Sequence, residues 1–224
     1  MTTDDRRNRA SRLAGEALQA GEPLAWFDSF YRDAAGDSNQ IPWADRRPNV
    51  NLVSWLEANP FETTTKTALV VGCGLGDDAE LIARGGLETT AFDLSPKAIE
   101  WCQSRHRSSK VNYLRADVLE APLIWKQAFD FVFEAYTLQV MPTELRPAAV
   151  TAIAGCVAPG GRLLVISRGR DAQEDVSGFP WPLVRQEIES FTNAGLSLVS
   201  LEDYRDDESP PVRRFRAVFR SDPR

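Results

Sequence analysis

The sequence predicts an α/β fold: a Rossmann-like open sheet with helices on both faces, mostly parallel, with an antiparallel last strand. Three observations carry this. From residue 67, short apolar runs (TALVVG, LETTAFD, VNYLRA, AFDFVFEA, GRLLVIS) alternate with helical stretches (DDAELIARG, SPKAIEWCQSRH, TELRPAAVTAIAGCVAPG). Runs that are apolar throughout, rather than at every second position, belong to parallel strands covered on both faces. A glycine-rich turn, GCGLG, joins the first strand to the first helix, and open α/β sheets bind ligands beyond the carboxyl ends of their strands. Finally, LSLVSLEDYRD and PPVRRFRAVFR read as a closing hairpin, which turns the last strand antiparallel.

Before the sheet, residues 3 to 20 read as a charged amphipathic helix ending near Gly21-Glu22-Pro23. An aromatic stretch follows, LAWFDSFYRDAAGDSNQIPWADRRPN. VNLVSWLEANP then reads as a short helix that stops before Pro60, because proline disfavours helix at the residue before it. We divide the chain at this point, with 1–60 as an N-terminal helical segment or lid and 61–224 as the main domain. After Ser167 come a loop, RGRDAQEDVSGFPWP, and a helix, LVRQEIESFTNAG. The alternating VRRFRAVFR is the pattern of a half-exposed strand.

Composition narrows the function. The 224 residues carry a net charge of −6, whereas a nucleic-acid surface calls for a basic face. No apolar run approaches the roughly 18 residues of a membrane span, and MTTDDRRNRASRLAGEAL lacks the apolar core of a secretory signal. Cys73, Cys102 and Cys156 are scattered, which suits free thiols and a cytoplasmic location. The single His106 sits in polar SRHRSSK, where solvent exposure is expected. With no C-x-x-C pair and no histidine cluster, no metal is expected. Oligomeric state is not readable.

The glycine loop carries the chemistry. Gly72, Gly74 and Gly76 permit a tight turn and a close approach of backbone amides to a ligand. Their spacing is G-x-G-x-G, whereas the dinucleotide fingerprint is G-x-G-x-x-G and its last position falls here on Asp77. A dinucleotide would rest its pyrophosphate on the following helix N-terminus, where Asp77 and Asp78 stand. A carboxylate about 6 Å from a phosphate charge costs about 3 kcal/mol at an effective dielectric near 20. A ligand with cationic groups and no phosphate is favoured, and S-adenosylmethionine, with an ammonium and a sulfonium, is such a ligand. Simple helix capping explains the two acids equally well. Asp93 ends the second strand about 20 residues on, where an acid accepts hydrogen bonds from ribose hydroxyls. Asp117 ends the next strand, within reach of an adenine amino group, or serves there as a turn residue.

Taken together, VVGCGLGDDAELIA, TAFDLSPKAIEWC, VNYLRADVLEAP, FDFVFEAYTLQVMP and LRPAAVTAIAGCVAPGGRLLVISRGR resemble the successive motifs of class I S-adenosylmethionine-dependent methyltransferases. The resemblance covers roughly residues 65 to 170. IPW and FPWPL are more loosely similar to the thiopurine S-methyltransferase-like branch. The resemblance implies that Gly72, Cys73, Gly74 and Gly76 surround the methionine moiety, that Asp93 holds the ribose, and that Leu94 packs near the adenine. It places Asp117 and Val118 at the adenine edge, and Glu134 and Ala135 beside the methionine part. Many members carry an acid two residues before the first glycine, where this chain has Val70. Asp77 or Glu134 is then left to meet the ligand's ammonium group.

Methyl transfer from a sulfonium needs collinear positioning more than an elaborate catalytic group. A base matters for a hydroxyl acceptor and much less for a thiol of pKa near 8.5. Tyr136 and Glu134, in FEAYTLQ, are the candidates to orient or deprotonate an acceptor, with pocket lining as the simpler role for Tyr136. Trp26, Phe27, Phe30, Tyr31 and Trp43 are candidates for a water-excluding lid or for plain packing. Trp43 stands out as a cofactor contact because Ile41-Pro42-Trp43 is a stiff loop, and Trp181 is a parallel candidate for the acceptor pocket. The expected activity is S-adenosylmethionine-dependent methyl transfer to a small-molecule nucleophile such as a thiol or hydroxyl. The alternatives are an NAD-dependent oxidoreductase and a cofactor-binding module without catalysis.

Overall fold

The computed structural model describes residues 3–174 and 179–223. Helices α1 (Thr3–Gln19), α2 (Trp26–Asp33) and α3 (Val50–Ala58) precede the sheet. Then β1 (Thr67–Val71), α4 (Asp77–Arg84), β2 (Glu88–Asp93), α5 (Pro96–Arg105) and β3 (Asn112–Arg115) follow in strict alternation. The chain continues through β4 (Phe129–Ala135), α6 (Arg146–Cys156), β5 (Val157–Arg170), β6 (Leu183–Val184), α7 (Arg185–Glu189), β7 (Leu196–Arg205) and β8 (Arg213–Ser221).

The strand order is β3-β2-β1-β4-β5-β8-β7, with the short β6 beside β5. The strands from β3 to β5 are parallel, and β8 runs antiparallel to both β5 and β7. The continuous apolar runs follow from coverage on both faces. Leu69 and Val71 point to a core shared with Val132, Val165, Ile153 and Phe215. Ala68 and Val70 point to the opposite one, with Leu52, Ile82, Ile99 and Phe131. Val70 is 2 % exposed, so it contributes packing alone.

Local chemistry sets the helix starts that frame the site. Gly76, at φ +86°, is the residue before α4. Ser95 accepts the Ala98 amide at 3.0 Å through its side chain, with Pro96 in the first turn of α5. A third core holds the N-terminal helices down, with Ala10, Trp26, Phe30, Tyr31 and Ile41 packed on Leu75, Ala98 and Trp101. The tie is polar as well. Asp28 accepts from the Ser95 hydroxyl at 2.8 Å and from the Lys97 amide at 3.2 Å.

Several sequence expectations need correction. The helix expected over LVRQEIESFTNAG is shorter, because Leu183 and Val184 pair with β5 first and a 3-10 turn at Ser190–Thr192 ends it. Part of the loop expected after Ser167 is strand, since β5 runs on to Arg170, and residues 175–178 lie outside the described residues. His106 is half-buried rather than solvent-exposed, with Nε2 3.2 Å from the Leu75 carbonyl and its ring stacked on Tyr113. Arg214, in the strand expected to be half-exposed, is 3 % exposed.

Candidate active site

A cavity of about 540 Å³ opens at the carboxyl ends of β1, β2, β4 and β5, within the size range of small-molecule sites. The glycine loop forms its floor. Gly72 and Gly74 lie at φ +60° and +54°. Only glycine occupies this left-handed region without strain. A Cβ on Gly72 would run into Thr137 Oγ1, and one on Gly76 would meet the Tyr113 hydroxyl at 2.5 Å. A Cβ on Gly74 would meet only the Tyr31 hydroxyl, at 3.5 Å, so this backbone faces open space in the cavity.

Asp93 and the loop are one unit. The Asp93 carboxylate accepts the Gly74 amide at 3.0 Å and the Ser95 amide at 2.9 Å, one on each oxygen. Asp93 is also among the residues that line the cavity. Burial pushes its pKa up to about 6 against these amide bonds. Asp117 accepts the Leu119 amide at 2.8 Å and lines the cavity with Leu94, Val118 and Ala135.

The other candidates separate. Asp77 forms a forked ion pair with Arg105 (3.0 and 3.1 Å), so its charge is largely compensated. Asp78 accepts the Asn49 amide at 2.7 Å, and burial pushes its pKa up to about 6. Glu134 is fully buried and stands behind the cavity wall rather than in it. Its Oε1 accepts the Thr137 and Leu138 amides at 2.7 and 3.1 Å and holds the turn after β4. Its Oε2 has no partner, and burial lifts its pKa to about 7. Gly76 likewise serves the turn and the packing on Tyr113 rather than the cavity. Cys73 lines the cavity as a thiol whose pKa is raised beside Cys102 and by burial. A raised pKa disfavours the nucleophilic thiolate.

Tyr136 follows the last residue of β4 at φ +67°, a strained conformation for an aromatic residue of the kind concentrated at functional sites. Its hydroxyl accepts from Asn51 Nδ2 at 3.4 Å, and Tyr204 donates to Asn51 Oδ1 at 2.6 Å. The Arg214 guanidinium lies 5.2 Å from the Tyr136 ring centre. Burial raises the phenol pKa, and the Arg214 charge offsets only part of that, so the group stays neutral at physiological pH.

Aromatic side chains close the cavity. Phe27, Tyr31, Trp43 and Phe179 line it, and the Trp43 indole N–H donates to the Tyr31 hydroxyl at 2.8 Å. Trp26 and Phe30 are buried packing beneath them. Trp181 stands outside the lining, its amide bonded to the Gln139 carbonyl at 2.8 Å. Asn51, Gln139, Arg168 and Arg214 line the cavity too, and the sequence reading missed all four. The like-signed pattern of RRFR was the one available signal.

Residues 68–161 match the family model described as a methyltransferase domain. The chain carries a class I S-adenosylmethionine-dependent methyltransferase domain. S-adenosylmethionine is the cofactor of this enzyme, and the dinucleotide alternative falls. The methyltransferase resembles a thiopurine S-methyltransferase of Vibrio atlanticus, 24% identical over 195 residues, which cover 79% of this chain and 87% of that protein. An uncharacterized methyltransferase of Mycobacterium tuberculosis is 32% identical over 126 residues, 56% of this chain and 60% of that protein. The fold matches that of the N-methyltransferase NodS from Bradyrhizobium japonicum in complex with S-adenosyl-L-homocysteine. There the TM-score is 0.66 at 23% identity, covering 87% of this chain and 97% of that one. Among the described residues no helix is long and apolar enough to cross a membrane, and no cluster of metal-ligating side chains occurs.

Proposed function

We propose that this methyltransferase acts on a small-molecule thiol, with the acceptor entering beside Tyr136 under the aromatic lid. When bound, the cofactor supplies a methyl group on a sulfonium; the sulfur–methyl bond breaks as the acceptor–methyl bond forms, and the acceptor's proton leaves to solvent. In this reading Asp93 accepts the ribose hydroxyls while fixing the loop that meets the methionine part. Asp117 and Val118 meet the adenine, and Phe27 and Trp43 exclude water.

The carrying observation is the neutral, raised-pKa Tyr136 in its strained conformation just after β4. A phenol in that state donates a hydrogen bond to orient an acceptor and is a poor base. A thiol ionises readily enough to need no strong base. The similarity to thiopurine S-methyltransferases over most of the chain supports the same acceptor class. The residues 1–60 act as the lid segment in this account.

The test is methyl transfer from methyl-labelled S-adenosylmethionine to matched thiol and phenol acceptors, read as labelled product. Aromatic thiols are expected to be methylated well ahead of the phenols. Phenols methylated faster than the matched thiols would overturn the assignment.

A further inference from the structure

Asp93 and Asp117 mark the β2–β3 side of the glycine loop, and the opposite side of the cavity is walled by β4, β5 and β8. Arg168 on β5 stands directly opposite Arg214 on β8 in the antiparallel register. Side chains so placed have Cβ atoms about 4.5–5.5 Å apart, and like charges there are destabilising. Both arginines line the cavity.

The counter-ions of Arg214 differ from each other. Asp206 pairs with it at 2.6 Å through a side chain only 6% exposed, and accepts the Val212 amide at 2.9 Å. Glu208 also pairs with it, yet its side chain is 50% exposed and lines the cavity. One carboxylate is thus built into the fold. The other reaches a guanidinium at the cavity wall from the loop between β7 and β8, as a carboxylate on a ligand would.

The geometry points to an anion subsite at Arg168 and Arg214, where a carboxylate carried by the methyl acceptor takes the place of Glu208. The planar guanidinium fork suits a carboxylate in two-point contact. Arg214 also lies over the Tyr136 ring, so an acceptor anchored there presents its other end beside the Tyr136 hydroxyl. This rests on the methyl-transfer reading for the acceptor's role, but the anion site itself is tested independently.

Benzoate and benzamide, which share a ring and differ in charge, are titrated calorimetrically into the full chain with and without S-adenosylhomocysteine. Benzoate is expected to bind at least about tenfold tighter. Glu208→Gln removes the resident carboxylate and is expected to strengthen benzoate several-fold while leaving benzamide unchanged. Arg168→Gln is expected to abolish the preference. Arg214 is left intact because its burial against Asp206 ties it to folding. Equal binding of the two probes, no measurable benzoate binding, or a Glu208→Gln variant that binds benzoate no better would each overturn the subsite. A benzoate preference that persists without any S-adenosylhomocysteine binding would sink the methyl-transfer reading and leave the subsite standing.

Discussion

The Trp43 indole donates its N–H to the Tyr31 hydroxyl at 2.8 Å, and that hydroxyl lies next to the space above Gly74. The aromatic segment is therefore joined to the glycine loop through one fully buried phenol. Tyr31→Phe removes the acceptor at a cost of about 1 kcal/mol. Differential scanning calorimetry should show a melting point about 2–4 °C lower, and S-adenosylhomocysteine should bind several-fold more weakly. A variant unchanged in both would mean that the lid does not bear on the loop.

The glycines separate folding from binding. Gly72→Ala combines a left-handed φ with a Cβ driven into Thr137 Oγ1, so denaturant unfolding should show a loss of about 1–3 kcal/mol. Gly74→Ala has room for its methyl group. It should lose only about 1–2 kcal/mol of stability but bind S-adenosylhomocysteine at least tenfold more weakly. If Gly74→Ala keeps full affinity, the loop does not approach the ligand as assigned.

Tyr136→Phe keeps the ring under Arg214 and removes only the hydroxyl. With a thiol acceptor, kcat/KM is expected to fall about tenfold, with cofactor affinity unchanged. The pH–rate profile should keep its shape, because the phenol is neutral throughout. Loss of an ionisation from that profile would show instead that Tyr136 acts as a base.

Buried carboxyls set the pH response. Asp78 and Asp93 titrate near 6 instead of 3.8, and Glu134 near 7 instead of 4.5, all through burial. Their protonated forms are favoured by folding, so that stability is complete below about pH 4 and is lost as pH rises through 6 to 7. Asp203 and Asp206 are lowered, Asp203 chiefly by its bonds to Arg213 and Asp206 by amide and Arg214 contacts that outweigh its burial. Their contribution is present above 3.8 and lost in stronger acid. The melting point of the cofactor-free chain should therefore peak near pH 4, fall between about pH 4 and 7, and level off above that. Cofactor affinity should run the other way, weakening below about pH 6 as Asp93 takes up a proton. A melting point that climbs steadily to pH 8 would contradict these assignments.

The parallel sheet and its glycine loop were legible because two-sided burial leaves a local mark, runs such as TALVV that are apolar throughout. Asp93 was legible because strand end and loop lie within some 20 residues. The Tyr136 surroundings were not, since Asn51 and Tyr204 meet across 153 positions of sequence and no local pattern encodes that meeting. Glu134 stands near the end of β4 as read, but its full burial and its bonds to the Thr137 and Leu138 amides were not legible. Asp77 read as a free charge only because Arg105, 28 residues on, was not seen to return to it.

The central claim is that Asp93 holds the cofactor while holding the loop. Calorimetric titration of S-adenosylhomocysteine into the wild-type chain and Asp93→Asn tests it most directly. Loss of charge-assisted hydrogen bonds worth about 1.5–3 kcal/mol predicts binding about 10- to 150-fold weaker in the variant. The weakening of wild-type binding below pH 6 should also be absent from it. Equal affinity in the two proteins across that pH range would contradict the account.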